Sequence, residues 1–241
     1  MPRTRELPPV PERPVFSPPA NIAGESEYVV DPGDGDGPNL QARLRVTPNA
    51  ARAVLFCHPH PLYGGSMHSA VVVAIAKIVA EQAGPLTTTL RFNYRGVGTS
   101  EGTYDAGRGE VDDARAALRA LKSHAPGAKI TLCGYSFGTF VGLRAAAIEG
   151  GVERVVLVAP AVRIFSFIEE DGRAFQGRIS VFVGDNDEFC DVEEAEALAG
   201  SLGASLRVFP GADHYFMRSR RKLGETVLPL VVPEAPALPE S

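Results

Sequence analysis

The stretch TLCGYSFGTF, residues 131–140, sets Ser136 between Gly134 and Gly138, where an apolar segment turns into an apolar, helix-like run. Small neighbours let the two elements approach closely, so the side chain at the apex is pushed outward into a strained position. A serine hydroxyl is a weak nucleophile near neutral pH. It needs a base within hydrogen-bond reach and a third group that orients the base. Two later stretches carry such groups: GDNDEF, residues 184–189, with Asp185 and Asp187, and GADHYF, residues 211–216, with Asp213 and His214. A serine, an acid and a histidine brought together would perform nucleophilic acyl transfer.

Those residues need a scaffold that gathers strand ends. Runs rich in β-branched and apolar residues at ARAVLFCH (51–58), LTTTLRFNY (86–94), AKITLCGY (128–135), VERVVLVAP (152–160), RISVFVG (178–184) and ASLRVFP (204–210) read as strands. Several are continuously apolar, the pattern of strands covered by helices on both faces. Between them lie helical windows, MHSAVVVAIAKIVAEQ, GEVDDARAALRALKSH, FGTFVGLRAAAIEG and DVEEAEALAGSLG, each fitting a crossover between parallel strands. EYVV (27–30) and NLQARLRV (39–46), split by the turn-rich DPGDGDGP, read as an antiparallel hairpin. The fold class is α/β: a mostly parallel twisted sheet with helices on both faces and an antiparallel N-terminal edge. Ligands of such sheets bind at the carboxyl ends of strands. Ser136, the two aspartates and His214 all follow strand ends.

A chain of 241 residues can bury one sizeable core. Seven prolines in the first twenty positions make residues 1–24 an extended or disordered arm, and the tail 229–241 repeats that composition. Residues 25–228 remain as the domain. A net charge of −5 weighs against nucleic acid or an anionic membrane surface as partner. Arg218, Arg220 and Arg221 read as a solvated helix face. Cys57, Cys133 and Cys190 are odd in number and widely spaced, which is no disulfide framework and fits a reducing compartment. The N-terminus has no apolar run to serve as a signal core, and AVVVAIAKIVA (70–80) is too short to span a bilayer. The expectation is a cytoplasmic protein without a membrane partner, its oligomeric state open and a homodimer among the options.

Four motifs together, HPHPLYGG (58–65), RFNYRGVGTSEG (91–102), GYSFG (134–138) and the pair GDNDEF with GADHYF, resemble the α/β-hydrolase superfamily over roughly residues 25–228. The first two resemble a group of small, lidless bacterial serine hydrolases. The resemblance implies a triad in the order Ser, Asp, His: Ser136 as nucleophile, His214 as base, and Asp187 as the fourth residue of the pattern G-x-x-D. Asp185 is the alternative orienting acid. For the oxyanion hole it implies the backbone N–H after the nucleophile, Phe137, and a second donor from the loop after ARAVLFCH. Many relatives read His-Gly-x there, whereas this chain reads His58-Pro59-His60. Pro59 and Pro61 have no N–H, so His60 is the positional match, with Leu62 or Tyr63 as fallbacks. Superfamily members often insert a cap after the strand equivalent to VERVVLVAP. Only residues 161–177 stand there, so an open site without a cap domain is expected.

Cys57, His58 and His60 also suggest metal ligands, but adjacent strand residues point to opposite faces and no second cluster completes a site. No metal is expected, and His58 reads as a hydrogen-bonded loop anchor. Ile164, Phe165, Phe167 and Ile168 either line an acyl pocket or pack a short helix into the core. Tyr63, Tyr94 and Tyr215 flank the mouth loops. The expected activity is a cofactor-independent serine hydrolase cleaving a carboxylic ester or thioester of a small-molecule acyl substrate. The same scaffold also serves non-hydrolytic enzymes (acyltransferase, cyclase, epimerase, dehydratase) and binding proteins with a vestigial site.

Overall fold

The computed structural model describes residues 9–12, 14–33, 37–165 and 169–232. After an N-terminal segment without helix or strand come β1 (Ser26–Val30), β2 (Leu40–Arg45), β3 (Arg52–Cys57), α1 (Ala70–Ala83), β4 (Thr87–Phe92) and α2 (Arg108–His124). The chain continues through β5 (Lys129–Tyr135), α3 (Phe137–Glu149), β6 (Arg154–Val158) and α4 (Glu169–Ala174). It ends with β7 (Arg178–Gly184), α5 (Val192–Leu202), β8 (Ser205–Phe209) and α6 (Arg220–Val231). Every expected strand forms, with ends shifted by at most two residues.

The strands make one eight-stranded sheet in the order β1-β2-β4-β3-β5-β6-β7-β8. β2 pairs antiparallel with both β1 and β4, and the other five pairings are parallel. Alternate residues of the central strands feed two separate cores. Leu55, Leu132, Leu157 and Val181 join side chains of α2, α3 and α5 on one face. Val54, Phe56, Val156 and Phe182 join α1 and α6 on the other. The continuous apolar runs in the sequence are therefore strands with both faces covered.

The two ends of the chain differ from the sequence reading in where they stop. α6 runs through Pro229 to Val231, and Leu228, Val231 and Val232 are buried against α1, so residues 229–232 belong to the core layer rather than to a tail. Residues 233–241 lie outside the described residues, as do residues 1–8 and 13 of the arm. The described part of the arm is tied down. Ile22 is buried in the α1–α6 core. Arg91, in the interior of β4 and fully buried, donates through Nε to Glu25 Oε1 at 2.8 Å and pairs with Glu25 Oε2 through Nη2. The same guanidinium donates to the carbonyls of Met67 (2.6 Å) and Ala20 (3.1 Å), joining the arm, the loop before α1 and the sheet.

Both side chains of the Arg91–Glu25 pair are excluded from water, at 0% and 2% exposure. Removing one charge strands the other where solvent cannot reach it. Glu25→Gln should therefore lower unfolding free energy by about 3–5 kcal/mol in urea melts. Glu27→Gln should change it far less, since Glu27 meets Arg43 with 88% of its side chain exposed. Equal, small effects at both positions would show that Arg91 does not depend on Glu25.

Candidate active site

Ser136 stands between the last residue of β5 and the first of α3, with φ 52° and ψ −117°. A non-glycine residue at positive φ is held there only by its surroundings. Those surroundings are two glycines. A methyl group on Gly134 would lie 2.3 Å from the Gly138 carbonyl oxygen, and one on Gly138 would lie 2.3 Å from that of Cys57. The first turn of α3 thus rests directly on the ends of β5 and β3. The Ser136 N–H donates to Val158 O (2.9 Å), and its carbonyl accepts from the Thr139 N–H (2.9 Å) and hydroxyl (2.5 Å).

His214 follows β8 and Asp187 follows β7. His214 Nε2 is 3.0 Å from Ser136 Oγ, while Nδ1 is 2.9 Å from Asp187 Oδ2 and 3.0 Å from Oδ1. A carboxylate accepts only, so Nδ1 carries the proton and Nε2 is left to accept from the serine hydroxyl. All three side chains are buried, and Asp187 Oδ1 also accepts from the Phe189 N–H at 2.8 Å. Asp185 takes no part in this chain: it is exposed, and its Oδ1 accepts from the Gly211 N–H at 2.7 Å, bracing the β7 turn against the β8 turn. The Tyr135 hydroxyl donates to the carbonyl of His214 (3.3 Å), steadying the histidine loop from behind.

The loop after β3 brings His60 beside Phe137, with ring centroids 4.9 Å apart. The fallback donors are engaged: the Leu62 N–H donates to His60 Nδ1 (3.2 Å) and the Tyr63 N–H to His60 O (3.1 Å). Among the described residues, the backbone N–H groups of His60 and Phe137 have no acceptor. With Nδ1 accepting, His60 holds its proton on Nε2 and donates it to the Tyr104 hydroxyl oxygen, 3.1 Å away. Burial pushes its pKa down to about 4, so the ring is neutral at physiological pH.

His58 is fully buried. Its Nδ1 donates to Pro59 O (2.7 Å) and its Nε2 accepts from the Tyr94 N–H (3.1 Å), locking the β3 loop to the β4 loop. Burial lowers its pKa to about 3. Among the described residues no group of three His, Cys, Asp or Glu side chains could hold a metal ion. Cys57, Cys133 and Cys190 are free and buried. No helix among the described residues is long and apolar enough to cross a membrane.

A cavity of about 300 Å³ opens above Ser136 and His214. Tyr63, Ile164, Phe165 and Tyr215 line it as the sequence allowed. Tyr94 does not: it is wholly buried, its ring 4.2 Å from that of His58 and 5.8 Å from that of Phe137. Phe167 and Ile168 lie outside the described residues. Sequence reasoning missed Phe189, Arg220, Val15 and Ser17, which also line the cavity. Phe189 closes the GDNDEF motif and was readable there. Arg220 was read only as a solvated helix residue, yet it is the one permanently charged side chain among the described lining residues, its Nε donating to Tyr215 O at 3.0 Å. Val15 and Ser17 sit in a proline-rich stretch with no periodicity to mark them.

Comparisons with known proteins bear on the fold and the family. Residues 48–167 match the family model described as serine aminopeptidase, S33. An uncharacterized protein of Rickettsia prowazekii (strain Madrid E) is 32% identical over 198 residues, covering 76% of this chain and 79% of that one. A crystal structure from Xanthomonas campestris, described as an α/β serine hydrolase without lid, superposes with a TM-score of 0.74 at 30% identity, covering 94% of this chain and 100% of that one. An α/β serine hydrolase homologue from Coxiella burnetii gives a TM-score of 0.74 at 29% identity, over 88% and 100%. With the strand order, the serine at the β5–α3 junction and residues 159–177 alone between β6 and β7, these likenesses make the chain a member of the lidless α/β serine hydrolases.

Proposed function

We propose that this protein is a cofactor-independent cytoplasmic serine hydrolase that cleaves a carboxylic ester or thioester of a small acyl substrate through an acyl-enzyme. The observation that carries the reading is the unbroken chain Ser136–His214–Asp187, with contacts of 3.0 and 2.9 Å inside a buried site that opens on a cavity. His214 Nε2 takes the hydroxyl proton as Ser136 Oγ attacks the carbonyl carbon, and Asp187 stabilises the imidazolium that forms. The carbonyl oxygen, now carrying negative charge, is met by the N–H of Phe137 at the start of α3 and by that of His60. Each such donor is worth ~3–4 kcal/mol in the transition state. His214 then returns its proton to the departing alcohol or thiol, and a water activated by the same nitrogen frees the acid.

The lining favours compact acyl groups. Phe165, Phe189, Ile164 and Tyr63 provide apolar and aromatic surface, and about 300 Å³ is at the small end for a ligand cavity. The buried, free cysteines are consistent with a reducing compartment.

Ser136→Ala should abolish fluorophosphonate labelling and lower turnover of short-chain esters at least ~10³-fold, leaving oxyanion and binding contributions. Wild-type hydrolysis by a folded variant would remove Ser136 from the mechanism. Asp187→Asn keeps the shape but favours the wrong histidine tautomer, so kcat should fall roughly 10²- to 10⁴-fold with little change in melting temperature. Asp185→Asn retains an oxygen for the Gly211 N–H and should cost less than about tenfold. A crippled Asp185→Asn beside a mild Asp187→Asn would reverse the assignment.

A further inference from the structure

Part of the cavity lining comes from neither the sheet nor its helices. Val15 and Ser17, from the segment preceding β1, line it together with Ser136 and His214. Their position is held from both sides. Upstream, the Val15 carbonyl lies against Gly64, where φ is +80° and an added methyl would come within 2.2 Å of the Val15 oxygen. Gly64 ends the 3₁₀ turn Pro61–Tyr63, in the loop that carries His60. Downstream, the Ala20 N–H donates to His68 Nδ1 (3.1 Å) and its carbonyl accepts from Arg91 (3.1 Å). Ile22 is buried two residues later, and Glu25 pairs with the same arginine. Pro14, Pro18 and Pro19 fix φ on either side of Val15–Ser17, so little chain entropy opposes the extended path.

An ordinary solvated terminus has no reason to follow this route. Nothing in the covalent chain brings residue 15 to residue 64; a buried arginine, a glycine that admits a carbonyl and a core isoleucine do so. Val15 is 88% exposed, and Ser17 supplies the more enclosed side chain of the two.

We propose that residues 14–17 form a fixed wall of the substrate pocket, and that Val15 and Ser17 set which acyl substrates fit. The inference rests on the hydrolase reading above. The wall closes the side of the cavity that a lidless fold leaves open and admits a compact ester or thioester rather than a polymer chain. Ser17 bounds the length of the group that lies under the arm.

Chemical modification tests this in the full chain. The native cysteines are 0%, 3% and 0% exposed, so Ser17→Cys adds an accessible thiol to a protein whose own thiols are shielded. After treatment with benzyl methanethiosulfonate, kcat/KM for p-nitrophenyl hexanoate should fall about tenfold or more relative to p-nitrophenyl acetate, the scale expected when a pocket loses room for a few methylenes. Methyl methanethiosulfonate should shift the ratio less, and dithiothreitol should restore it. The same benzyl treatment of Val10→Cys, a position on the arm that does not line the cavity, should leave the ratio unchanged. Prior reaction of Ser136 with a long-chain alkyl fluorophosphonate should slow modification of the introduced thiol. An unchanged hexanoate-to-acetate ratio, with no protection, overturns the wall while leaving a labelled, active Ser136 and the hydrolase reading intact. Failure of Ser136 to label at all overturns the hydrolase reading and the wall with it. If Ser17→Cys misfolds, Val15→Cys is read by the same criteria.

Discussion

The site depends on a contact between backbones that no side chain may occupy. α3 can start on top of β5 and β3 only because Gly134 and Gly138 present bare Cα atoms, each leaving 2.3 Å between an imagined methyl and a carbonyl oxygen. With the helix that close, the chain reverses across a single residue, and Ser136 must adopt φ 52°. Such a conformation costs on the order of 1–3 kcal/mol. It is offset by the apolar packing of α3, whose Val141, Leu143, Ala145 and Ala146 are buried. One constraint therefore does two things: it brings the hydroxyl to His214, and it starts α3 at Phe137, directly after the serine. A larger residue at either glycine would move both together.

Around that contact, polar side chains hold separate loops in register. Asn93 accepts from the Met67 N–H (2.8 Å) and donates to Gln41 (2.8 Å), while Ser100 donates to the Asn93 carbonyl (2.9 Å). His58 ties the β3 loop to Tyr94, and Arg91 ties the arm to the sheet. No residue of RFNYRGVGTSEG lines the cavity. This motif, one of the four that carry the family resemblance, is a brace: its buried hydrogen bonds hold the neighbouring loops together. Loops placed this way can be precise because each buried polar group would be costly to leave unpaired.

The electrostatics of the cavity suit an anionic transition state. The protein carries a net charge of −5, yet no carboxylate is among the described residues that line the pocket; Asp187 is bonded to the far nitrogen of His214. His60 is kept neutral by burial, and among the described lining residues Arg220 supplies a permanent positive charge. A developing oxyanion would meet N–H dipoles at the start of a helix.

Hydrophobic periodicity and turn glycines act over a few residues, so the layered sheet, its antiparallel edge and the strand-end positions of Ser136, Asp187 and His214 were legible in the sequence. It carried the triad as an ordered set of motifs, with Asp187 as the orienting acid and Asp185, two positions away, as the alternative. Only the tertiary structure turned Asp187 onto His214 and Asp185 onto Gly211, since the direction of a turn carboxylate depends on which loop packs against it. Only it buried Tyr94 behind His58, took α6 through Pro229, and brought the arm to the cavity. Proline density predicts an extended backbone but not where that backbone goes. The path is set by Arg91, a charge inside β4 that can be buried only if Glu25, 66 residues earlier, comes to meet it.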